Sequence, residues 1–551
     1  MEKKIRKHKK TRPDDEFIGT RKSLYWCRAC GVPLLSPECE RCGTQGHRIC
    51  SDLRPVFPEQ KRFLEEFYGL SLPAQIKLLW MRHRTVWFNG YRFVRLSATG
   101  KPKVAKVYRL PRNFTLPKRT PSWRTVWLAN KTKMQDVITE AKQFVRQIVK
   151  QHSERLPVVS FSGGKDSAVV SALVRRALRS NTVLHVFGDT TMEIPDTYRY
   201  VKAFQRTQHV PLKVVKSKKM FLEMCEAFDP PTQINPWCCS VFKKATLSTV
   251  MNSINDGQGV LSFEGIRRTE STRRRLHERV YERGAIAKQI SANPILEWGE
   301  FEVWLLIHYW GIPFNPAYAK GFTRVGCLYC PHNSSFTDLL ASKFYAAQQA
   351  PFVDYLISYA RRIGKPDPIE YVSSGAWKTR VGTTAAKAIP TKIHSRPCHN
   401  IENATVYYLF HKAASPELIE FFKPLGFPVR DSNSETNRYF IVDRSSRLPL
   451  FFVVFVHNSF NQVKIAYCVQ PNPKRLVQRV ERQLLKYQSC RECGACVSLC
   501  PERAINVGSP LRIDEAKCRG CGRCMSSKYL PYSCVGIDAL RQRKKGLLTY
   551  G

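Results

Sequence analysis

The segment from residue 156 to residue 178 constrains the fold more than any other part of the chain. The apolar run LPVVSF predicts a buried strand, the residues SGGKDS that follow it predict a loop, and AVVSALVRRAL predicts a helix. Two further apolar strands, TVLHVF and LKVVK, come next, with helical sequence between them. Strands that alternate with helices form a parallel sheet covered by helices on both faces. The sequence therefore predicts an α/β domain with a doubly wound parallel sheet.

The loop between this strand and this helix has the residues of an anion-binding turn. Gly163 and Gly164 allow backbone N–H groups to approach an anion, and the helix N-terminus adds a partial positive charge. Lys165 adds a full positive charge. A tight turn without a ligand is the alternative, and the GxxxxGK[ST] spacing of a Walker A loop is absent. The candidate nucleotide-binding residues of the loop are Ser162, Gly163, Gly164, Lys165, Asp166 and Ser167.

Smaller domains are predicted on both sides of this one. Apolar residues at helical spacing in 134–150 predict a helix before the first strand, and TVWFNGYRFVRL predicts strands earlier still. RYFIVD and LPLFFVVFV predict strands in a later α+β domain. The predicted order is a basic tail at 1–20, a Cys module at 21–55, a small β-containing domain at 56–130, the nucleotide-binding domain at 131–385, the α+β domain at 386–487, a second Cys module at 488–540 and a basic tail at 541–551.

The chain has twenty cysteines, and their spacing indicates metal sites. All except Cys50, Cys225, Cys398 and Cys468 lie in CxxC, CxxCxxC or Cys-Cys arrangements, which suit metals better than disulfides. The charged start MEKKIRKHKKTR is not followed by the apolar region of a secretory signal. We therefore expect an iron–sulfur and zinc protein rather than a secreted disulfide protein.

The N-terminal Cys module has two CxxC pairs separated by eight residues. This spacing predicts a zinc ribbon, in which two knuckles hold one tetrahedral ion. An iron–sulfur cluster at the same position is the alternative. The candidate ligands are Cys27, Cys30, Cys39 and Cys42.

The C-terminal Cys module contains the CxxCxxCxxxCP run of bacterial ferredoxins. A second run begins with Cys518 and is completed by Cys534 after a spacing of nine residues instead of three. In ferredoxins with two clusters, the fourth cysteine of each run ligates the other cluster. We therefore expect one [4Fe–4S] cluster on Cys490, Cys493, Cys496 and Cys534, and a second on Cys518, Cys521, Cys524 and Cys500.

The chain carries a formal net charge of +45. General basicity and a polyanionic partner such as RNA are both compatible with this charge. The apolar run at 448–456 is interrupted by Pro449 and is far shorter than the ~20 residues of a membrane span. We expect no membrane contact and a cytoplasmic location.

Several motifs, in order, resemble those of the phosphoadenosine phosphosulfate (PAPS) and adenylyl-sulfate reductase family, between about Val158 and Pro331. SGGKDS resembles the PP-loop of the adenine nucleotide α-hydrolase-like superfamily to which that family belongs. The other matching segments are GDTT at 188–191 with IPDTY at 194–198, GIRRTES at 265–271, NPILEW at 293–298, EVW at 302–304, IPFNP at 312–316 and GC at 326–327.

The resemblance implies further site residues. It places Asp189 at the substrate-facing edge of the second strand, and Arg267 and Arg268 against the sulfate and phosphate groups of an adenine nucleotide. It also implies a third [4Fe–4S] cluster, with zinc as the alternative. The four ligands implied for this cluster are Cys238, Cys239, Cys327 and Cys330.

The function that the resemblance implies is the reduction of an adenylyl sulfate to sulfite and an adenosine phosphate. A low-potential donor would supply electrons through the fused ferredoxin domain. Two features depart from the family: the chain ends in LLTYG without a tail cysteine, so no nucleophile is assigned, and SGGKDS is intact as in enzymes that cleave ATP. The main alternative is therefore an ATP-dependent PP-loop enzyme that thiolates or otherwise modifies tRNA, and adenylyl sulfate, PAPS and ATP all remain candidate substrates. An electron carrier with a vestigial nucleotide fold is a third possibility.

Overall fold

The computed structural model describes residues 23–525, apart from 73–77, 98–103, 113, 115–120, 234–235, 255–257, 272–273, 283–288, 380–392, 411, 433–436, 457–458, 460, 470–473 and 509. The predicted basic tails at 1–20 and 541–551, and the predicted ligand Cys534, lie outside the described residues.

Two antiparallel sheets form the N-terminal part. The first has the order β2-β1-β3 and the second the order β4-β5-β6-β7-β8. Strands β6 and β7 are paired neighbours, which confirms the strands predicted from TVWFNGYRFVRL. The elements are β1 (Leu24–Cys27), β2 (Val32–Leu34), β3 (His47–Cys50), β4 (Arg54–Val56), α1 (Pro58–Tyr68), β5 (Leu79–Arg82), β6 (Thr85–Phe88), β7 (Tyr91–Leu96) and β8 (Val104–Val107).

Two helices, α2 (Trp123–Leu128) and α3 (Lys131–Gln151), lead into the α/β domain. The predicted helix at 134–150 is confirmed by α3. Its buried residues recur every three or four positions, so one face of the helix packs against the core.

The α/β domain is built on a sheet with the order β11-β10-β9-β12-β14-β13. Neighbouring strands are parallel as predicted, except that β13 pairs antiparallel with β14. The physical reason is the short connection between these two strands, because a parallel crossover needs a dozen or more residues. The strands are β9 (Leu156–Ser160), β10 (Leu184–Asp189), β11 (Leu212–Lys216), β12 (Val260–Phe263), β13 (Val280–Tyr281) and β14 (Gln289–Ala292).

The helices of this domain connect and cover the strands. A π-helix at Cys239–Ala245 runs directly into α7, and short 3-10 turns lie at Arg268–Glu270, Arg274–Leu276 and Pro316–Tyr318. The helices are α4 (Lys165–Leu178), α5 (Pro195–Gln208), α6 (Phe221–Phe228), α7 (Thr246–Ser253), α8 (Glu300–Trp310), α9 (Ser335–Phe344), α10 (Ala346–Arg362), α11 (Pro368–Ser373) and α12 (Ala376–Thr379).

The following α+β part has an antiparallel sheet with the order β15-β16-β20-β19-β18-β17. Strands β18 and β19 confirm the predictions from RYFIVD and LPLFFVVFV. The elements are β15 (His394–Pro397), β16 (Ala404–Tyr408), α13 (Leu418–Phe422), β17 (Phe427–Arg430), β18 (Arg438–Val442), β19 (Pro449–Phe455), β20 (Gln462–Tyr467) and α14 (Lys474–Ser489).

The described part of the C-terminal Cys module contains a small hairpin between its cysteine runs. This hairpin pairs β21 (Ile505–Val507) with β22 (Leu511–Ile513). Short 3-10 turns at Val497–Leu499 and Arg523–Met525 flank it. Across the whole described chain, no helix has the length and apolar character needed to span a bilayer.

Buried apolar residues form two large cores. The first joins the N-terminal sheets to α3, α4 and α8. The second joins α6, the π-helix, the antiparallel sheet of residues 394–467 and the C-terminal Cys module. The second core therefore brings the π-helix with its cysteine pair together with the predicted ferredoxin domain.

Candidate nucleotide site and cysteine clusters

The SGGKDS loop lies between the end of β9 and the start of α4 and is held by its own hydrogen bonds. The Ser162 N–H donates to Ser167 Oγ at 3.2 Å, and Ser167 Oγ donates to the Gly164 carbonyl at 2.9 Å. Gly163 has a φ of 70°, and a Cβ there would lie 2.8 Å from Thr197 Cγ2. Glycine is required at this position both by the backbone conformation and by the close approach of α5.

A second glycine makes close contact with the same loop. A Cβ on Gly265, just after β12, would lie 2.7 Å from the Asp166 carbonyl carbon and 2.8 Å from the Ser167 nitrogen. The segment that carries Arg267 can therefore reach the first turn of α4 only with glycine at 265. The GIRRTES motif predicted that this segment belongs to the nucleotide site, but it did not predict the contact between Gly265 and the loop.

Two of the predicted cations meet on one carboxylate at the start of α4. Arg267 Nε donates to Asp166 Oδ1 at 2.6 Å, and Lys165 Nζ donates to Asp166 Oδ2 at 3.0 Å. Lys165 also lies 3.6 Å from a carboxylate oxygen of Glu300 on α8. Burial acts to raise the pKa of Asp166, but Arg267 and Lys165 outweigh it and hold that pKa at about 2. The cluster is therefore a buried network of charged groups directly under the loop.

The other two predicted nucleotide contacts lie at different positions. Arg268 Nε donates to Glu297 Oε1 at 2.5 Å, and its side chain is partly exposed. Asp189 ends β10, as predicted, and its Oδ1 accepts hydrogen bonds from the Thr191 N–H at 2.7 Å and the Tyr198 hydroxyl at 3.1 Å. Asp189 thus shapes the turn after β10, in which Thr191 has a φ of 63°.

The N-terminal part supplies a contact that the sequence did not predict. The Asp52 carboxylate accepts hydrogen bonds from the N–H groups of Glu300 at 2.8 Å and Phe301 at 3.0 Å. Asp52 therefore caps α8, the helix whose Glu300 faces Lys165. Burial and the nearby charge of Glu300 raise the pKa of Asp52 to about 6. No local signal could reveal this cap, because the two partners are 248 residues apart.

The structure brings the four predicted zinc ligands together. The sulfur atoms of Cys27, Cys30, Cys39 and Cys42 all lie within 4.8 Å of one another. The Cys30 N–H also donates to Cys27 Sγ at 3.3 Å. Four thiols at this separation could hold a single metal ion.

The cysteines predicted for the third cluster lie near one another, although among the described residues only the set of Cys27, Cys30, Cys39 and Cys42 has all its sulfur atoms within 4.8 Å. Cys238 and Cys239 lie at the start of the π-helix, and a hydrogen bond with Cys239, burial and the charges of Cys239, Cys327 and Cys330 all raise the pKa of Cys238. Single turns of π-helix occur frequently at functional sites.

The turn after β10 connects this cysteine set to the predicted nucleotide edge. Cys327 Sγ lies 3.3 Å from Thr190 Oγ1, which itself donates to Glu193 Oε1 at 2.8 Å. Glu193 also pairs with Cys327 in an isolated antiparallel bridge. The short turn that begins at Asp189 therefore contacts Cys327 through both Thr190 and Glu193.

The four cysteines predicted for the second ferredoxin cluster line one small cavity with a volume of about 20 Å³. Ala504, Ile505 and Ile513 complete much of its wall, and the Ala504 N–H donates to Cys500 Sγ at 3.3 Å. The cysteines of this cavity are Cys500, Cys518, Cys521 and Cys524. Four cysteine thiols are the donor set that a [4Fe–4S] cluster requires.

The other ferredoxin set faces the π-helix. Cys490, Cys493 and Cys496 belong to the second core, together with Cys238. The turn Val497–Leu499 contacts both the π-helix and α7, and Gly494 lies against Ala245. The fourth predicted ligand, Cys534, lies outside the described residues.

Comparison with known proteins supports the resemblance of the α/β domain. Residues 156–333 match the family model described as the phosphoadenosine phosphosulfate reductase domain. An adenosine 5′-phosphosulfate reductase of Staphylococcus epidermidis is 26% identical over 176 residues, which cover 31% of this chain and 69% of that enzyme.

Two uncharacterised proteins of Methanocaldococcus jannaschii are more similar. One is 35% identical over 175 residues, covering 32% of this chain and 36% of the relative. The other is 35% identical over 222 residues, covering 40% of this chain and 50% of the relative. The chain thus matches about a third to a half of the length of these relatives.

Solved structures give more distant similarities. A phosphoadenylyl-sulfate reductase from Candida auris is 14% identical with a TM-score of 0.29, covering 36% of this chain and 95% of that chain. An NAD synthetase from Campylobacter jejuni is 16% identical with a TM-score of 0.28, covering 45% of this chain and 97% of that chain. The sequence matches therefore carry the assignment: residues 156–333 are similar to the PAPS reductase domain, as the motifs of this region predicted.

Proposed function

We propose that the chain is an iron–sulfur oxidoreductase that reduces an adenylyl sulfate to sulfite and an adenosine phosphate. The observation that carries the proposal is the turn after β10, where Asp189 begins the turn and Thr190 contacts Cys327 at 3.3 Å. This turn joins the predicted nucleotide edge to the predicted cluster ligands. A sulfate group bound at this edge would lie beside the cysteine set.

The proposed reaction is a two-electron reduction. The bond between sulfur and the bridging phosphate oxygen breaks, and the phosphate keeps that oxygen. Sulfur passes from the +6 to the +4 oxidation state and leaves as sulfite. A low-potential one-electron donor supplies both electrons in succession.

The residues of the loop would bind the anionic part of the nucleotide. Backbone N–H groups at Gly163 and Gly164 are the groups that this kind of turn offers to phosphate. Asp166 holds Lys165 and Arg267 in place beneath the loop, so their positions are fixed before a ligand arrives. Preorganised charges of this kind bind without a further ordering cost. Asp189 and Arg268 would contribute from the edge of the same site.

The cysteines would hold the redox groups. Cys238, Cys239, Cys327 and Cys330 would provide the four thiolates of a [4Fe–4S] cluster, which would supply electrons next to the sulfate. The two ferredoxin sets would hold two further clusters. Cys27, Cys30, Cys39 and Cys42 would hold a structural zinc ion. A reducing compartment such as the cytoplasm suits so many free thiols.

The fused ferredoxin domain would serve as the local electron supply. Its first set of cysteines shares a core with Cys238, and Gly494 packs against the π-helix at Ala245. Covalent fusion and this packing raise the effective concentration of the electron donor at the site.

The intact SGGKDS loop favours one alternative, an ATP-dependent PP-loop enzyme that modifies tRNA. The two proposals differ in their products. Anaerobically purified protein would be given adenylyl sulfate or PAPS with a low-potential donor, and in parallel ATP with and without tRNA. We expect sulfite from one of the sulfonucleotides. The absence of sulfite from both, together with tRNA-dependent formation of AMP from ATP, would replace the reductase proposal with the tRNA proposal.

A further inference from the structure

The antiparallel sheet of residues 394–467 has two faces with different surroundings. Tyr407, Val453 and Ile465 belong to the second core, on the side of α13 and α14. Since successive residues of a strand point to opposite faces, the residues between them lie on the other face, which we call the outer face. The outer face is defined by Arg396, Tyr408, Arg438, Phe440, Phe452 and Lys464.

The outer face is not packed into a hydrophobic core of the described residues. Val406, Val454 and Ala466 lie on it and are 4%, 8% and 2% exposed, yet none of the three belongs to a core cluster. Small side chains on a sheet become buried in this way when the long side chains beside them fold over them. The larger residues of this face, Arg438, Phe440, Phe452 and Lys464, are partly exposed.

Basic residues form a row across this face. The strand register places Arg396 opposite Val406, Val406 opposite Lys464, Lys464 opposite Val454, and Val454 opposite Arg438. Arg396 is exposed, and the Arg438 side chain is 34% exposed. Asp431, which lies 3.6 Å from Arg438, is the acidic group facing this end of the row.

Aromatic rings lie on both sides of the basic row. On one side, Phe440 and Phe452 are cross-strand partners with ring centroids 5.6 Å apart, and the Arg438 guanidinium lies 5.1 Å from the Phe452 ring. On the other side, Tyr408 and Phe410 are stacked at 6.3 Å with an angle of 10° between their planes. The Phe410 ring is 57% exposed.

We propose that the outer face binds single-stranded RNA. A row of cations fits the phosphate backbone, and aromatic rings beside it fit unstacked bases, which is how proteins recognise RNA loops and ends. An acidic protein partner would match the charges but has no planar bases to stack on the rings. The net charge of +45 is of the sign that this ligand requires. The proposal is independent of the reductase reaction, because no residue of this face belongs to the loop or to the cysteine sets.

The test is fluorescence anisotropy with the full, anaerobically purified chain and a labelled single-stranded RNA of mixed sequence. One variant is Phe440→Ala with Phe452→Ala, and a second is Arg438→Ala with Lys464→Ala. The control is Lys213→Ala with Lys216→Ala on β11, which removes two exposed positive charges at another site. Duplex RNA, single-stranded DNA of the same sequence, and heparin are the competing ligands.

We expect each lost stacking ring to weaken RNA binding about 5- to 150-fold. The Arg438/Lys464 variant should lower the slope of log affinity against log salt by about 1.4. The control should bind as the wild type does. The same loss in the control, or unchanged binding by both outer-face variants, would overturn the proposal. Binding to heparin, duplex RNA or single-stranded DNA as tight as binding to the RNA would overturn it as well. Because the phenylalanines are half-buried, the charge variant provides a second test in which the aromatic pair is kept.

Discussion

Gly494 of the C-terminal Cys module lies against Ala245 at the end of the π-helix, so that a Cβ at position 494 would stand 3.6 Å from the Ala245 Cβ. Gly494 falls between Cys493 and Cys496, and the π-helix begins at Cys239. Two segments that are distant in sequence, each carrying cysteines of a predicted cluster, therefore lie side by side with room for no more than a methyl group between Gly494 and Ala245.

A larger side chain at this junction should slow electron delivery. In Ala245→Leu, the added carbons push the turn at 494–499 away from the π-helix, at a cost of ~1–3 kcal/mol for overpacking. We expect slower oxidation of the pre-reduced ferredoxin clusters on addition of the sulfonucleotide, followed by stopped-flow absorbance, with unchanged iron content. Ala341→Leu, which makes the same change at a buried position in α9, is the control. If the clusters are oxidised at the same rate in Ala245→Leu and Ala341→Leu, the contact between Gly494 and Ala245 does not contribute to electron delivery.

Removing a cation under the loop should weaken nucleotide binding. Lys165→Ala and Arg267→Ala each delete one charged contact, worth ~1.5–3 kcal/mol, so affinity should fall roughly 10- to 150-fold. Isothermal titration with adenylyl sulfate, PAPS and ATP measures the loss, and Lys213→Ala on exposed β11 is the charge-matched control. Affinity equal to that of the control would place the nucleotide elsewhere.

Gly265→Ala should damage the loop without removing any polar group. Its Cβ would lie 2.7 Å from backbone of Asp166, which cannot move without shifting the first turn of α4. We expect a loss of ~1–3 kcal/mol in the free energy of unfolding, measured by urea denaturation, and weaker nucleotide binding. Gly326→Ala is the matched control, because a Cβ there meets no atom within 4 Å. If the free energy of unfolding of Gly265→Ala equals that of the wild type, the close approach of residue 265 to Asp166 does not constrain the loop.

Metal analysis tests the cysteine sets one at a time. The wild type should hold about twelve irons and one zinc per chain. Cys42→Ser should lose the zinc and keep the iron, whereas Cys239→Ser should lose about four irons and keep the zinc. About eight irons in the wild type would show that no cluster is bound at Cys238, Cys239, Cys327 and Cys330. About sixteen would show that the N-terminal cysteine set binds a cluster instead of zinc.

Asp52 should make stability depend on pH. Its pKa is raised from 3.8 to about 6 in the folded protein, so folding favours the protonated carboxyl group. Its stabilising contribution is complete below pH 4 and is lost as pH rises towards 6. Relative to Asp52→Asn, the wild type should therefore lose thermal stability between about pH 4 and pH 6, as followed by circular dichroism. If the melting temperatures of the wild type and Asp52→Asn change with pH in the same way, the raised pKa of Asp52 is contradicted.

Local patterns predicted the elements but not the contacts between them. Local sequence patterns encode three of the predicted features: the helix α3, the paired strands β6 and β7, and the strand–loop–helix at 156–178. The spacing of Cys27 to Cys42 likewise brings four thiols together within a short segment. The Asp52 cap on α8 and the packing of Gly494 on Ala245 depend instead on how distant segments dock. Their partners carry no local signal, and neither contact was predicted.

The Asp52 cap also has a consequence for the order in which the chain folds during synthesis. The 248 residues between Asp52 and Glu300 take roughly 12–50 s to translate at ~5–20 residues per second. Until the start of α8 leaves the ribosome, this carboxylate has no helix to cap. The first N-terminal strands can pair early, but their final docking must wait for more than half of the chain to be made.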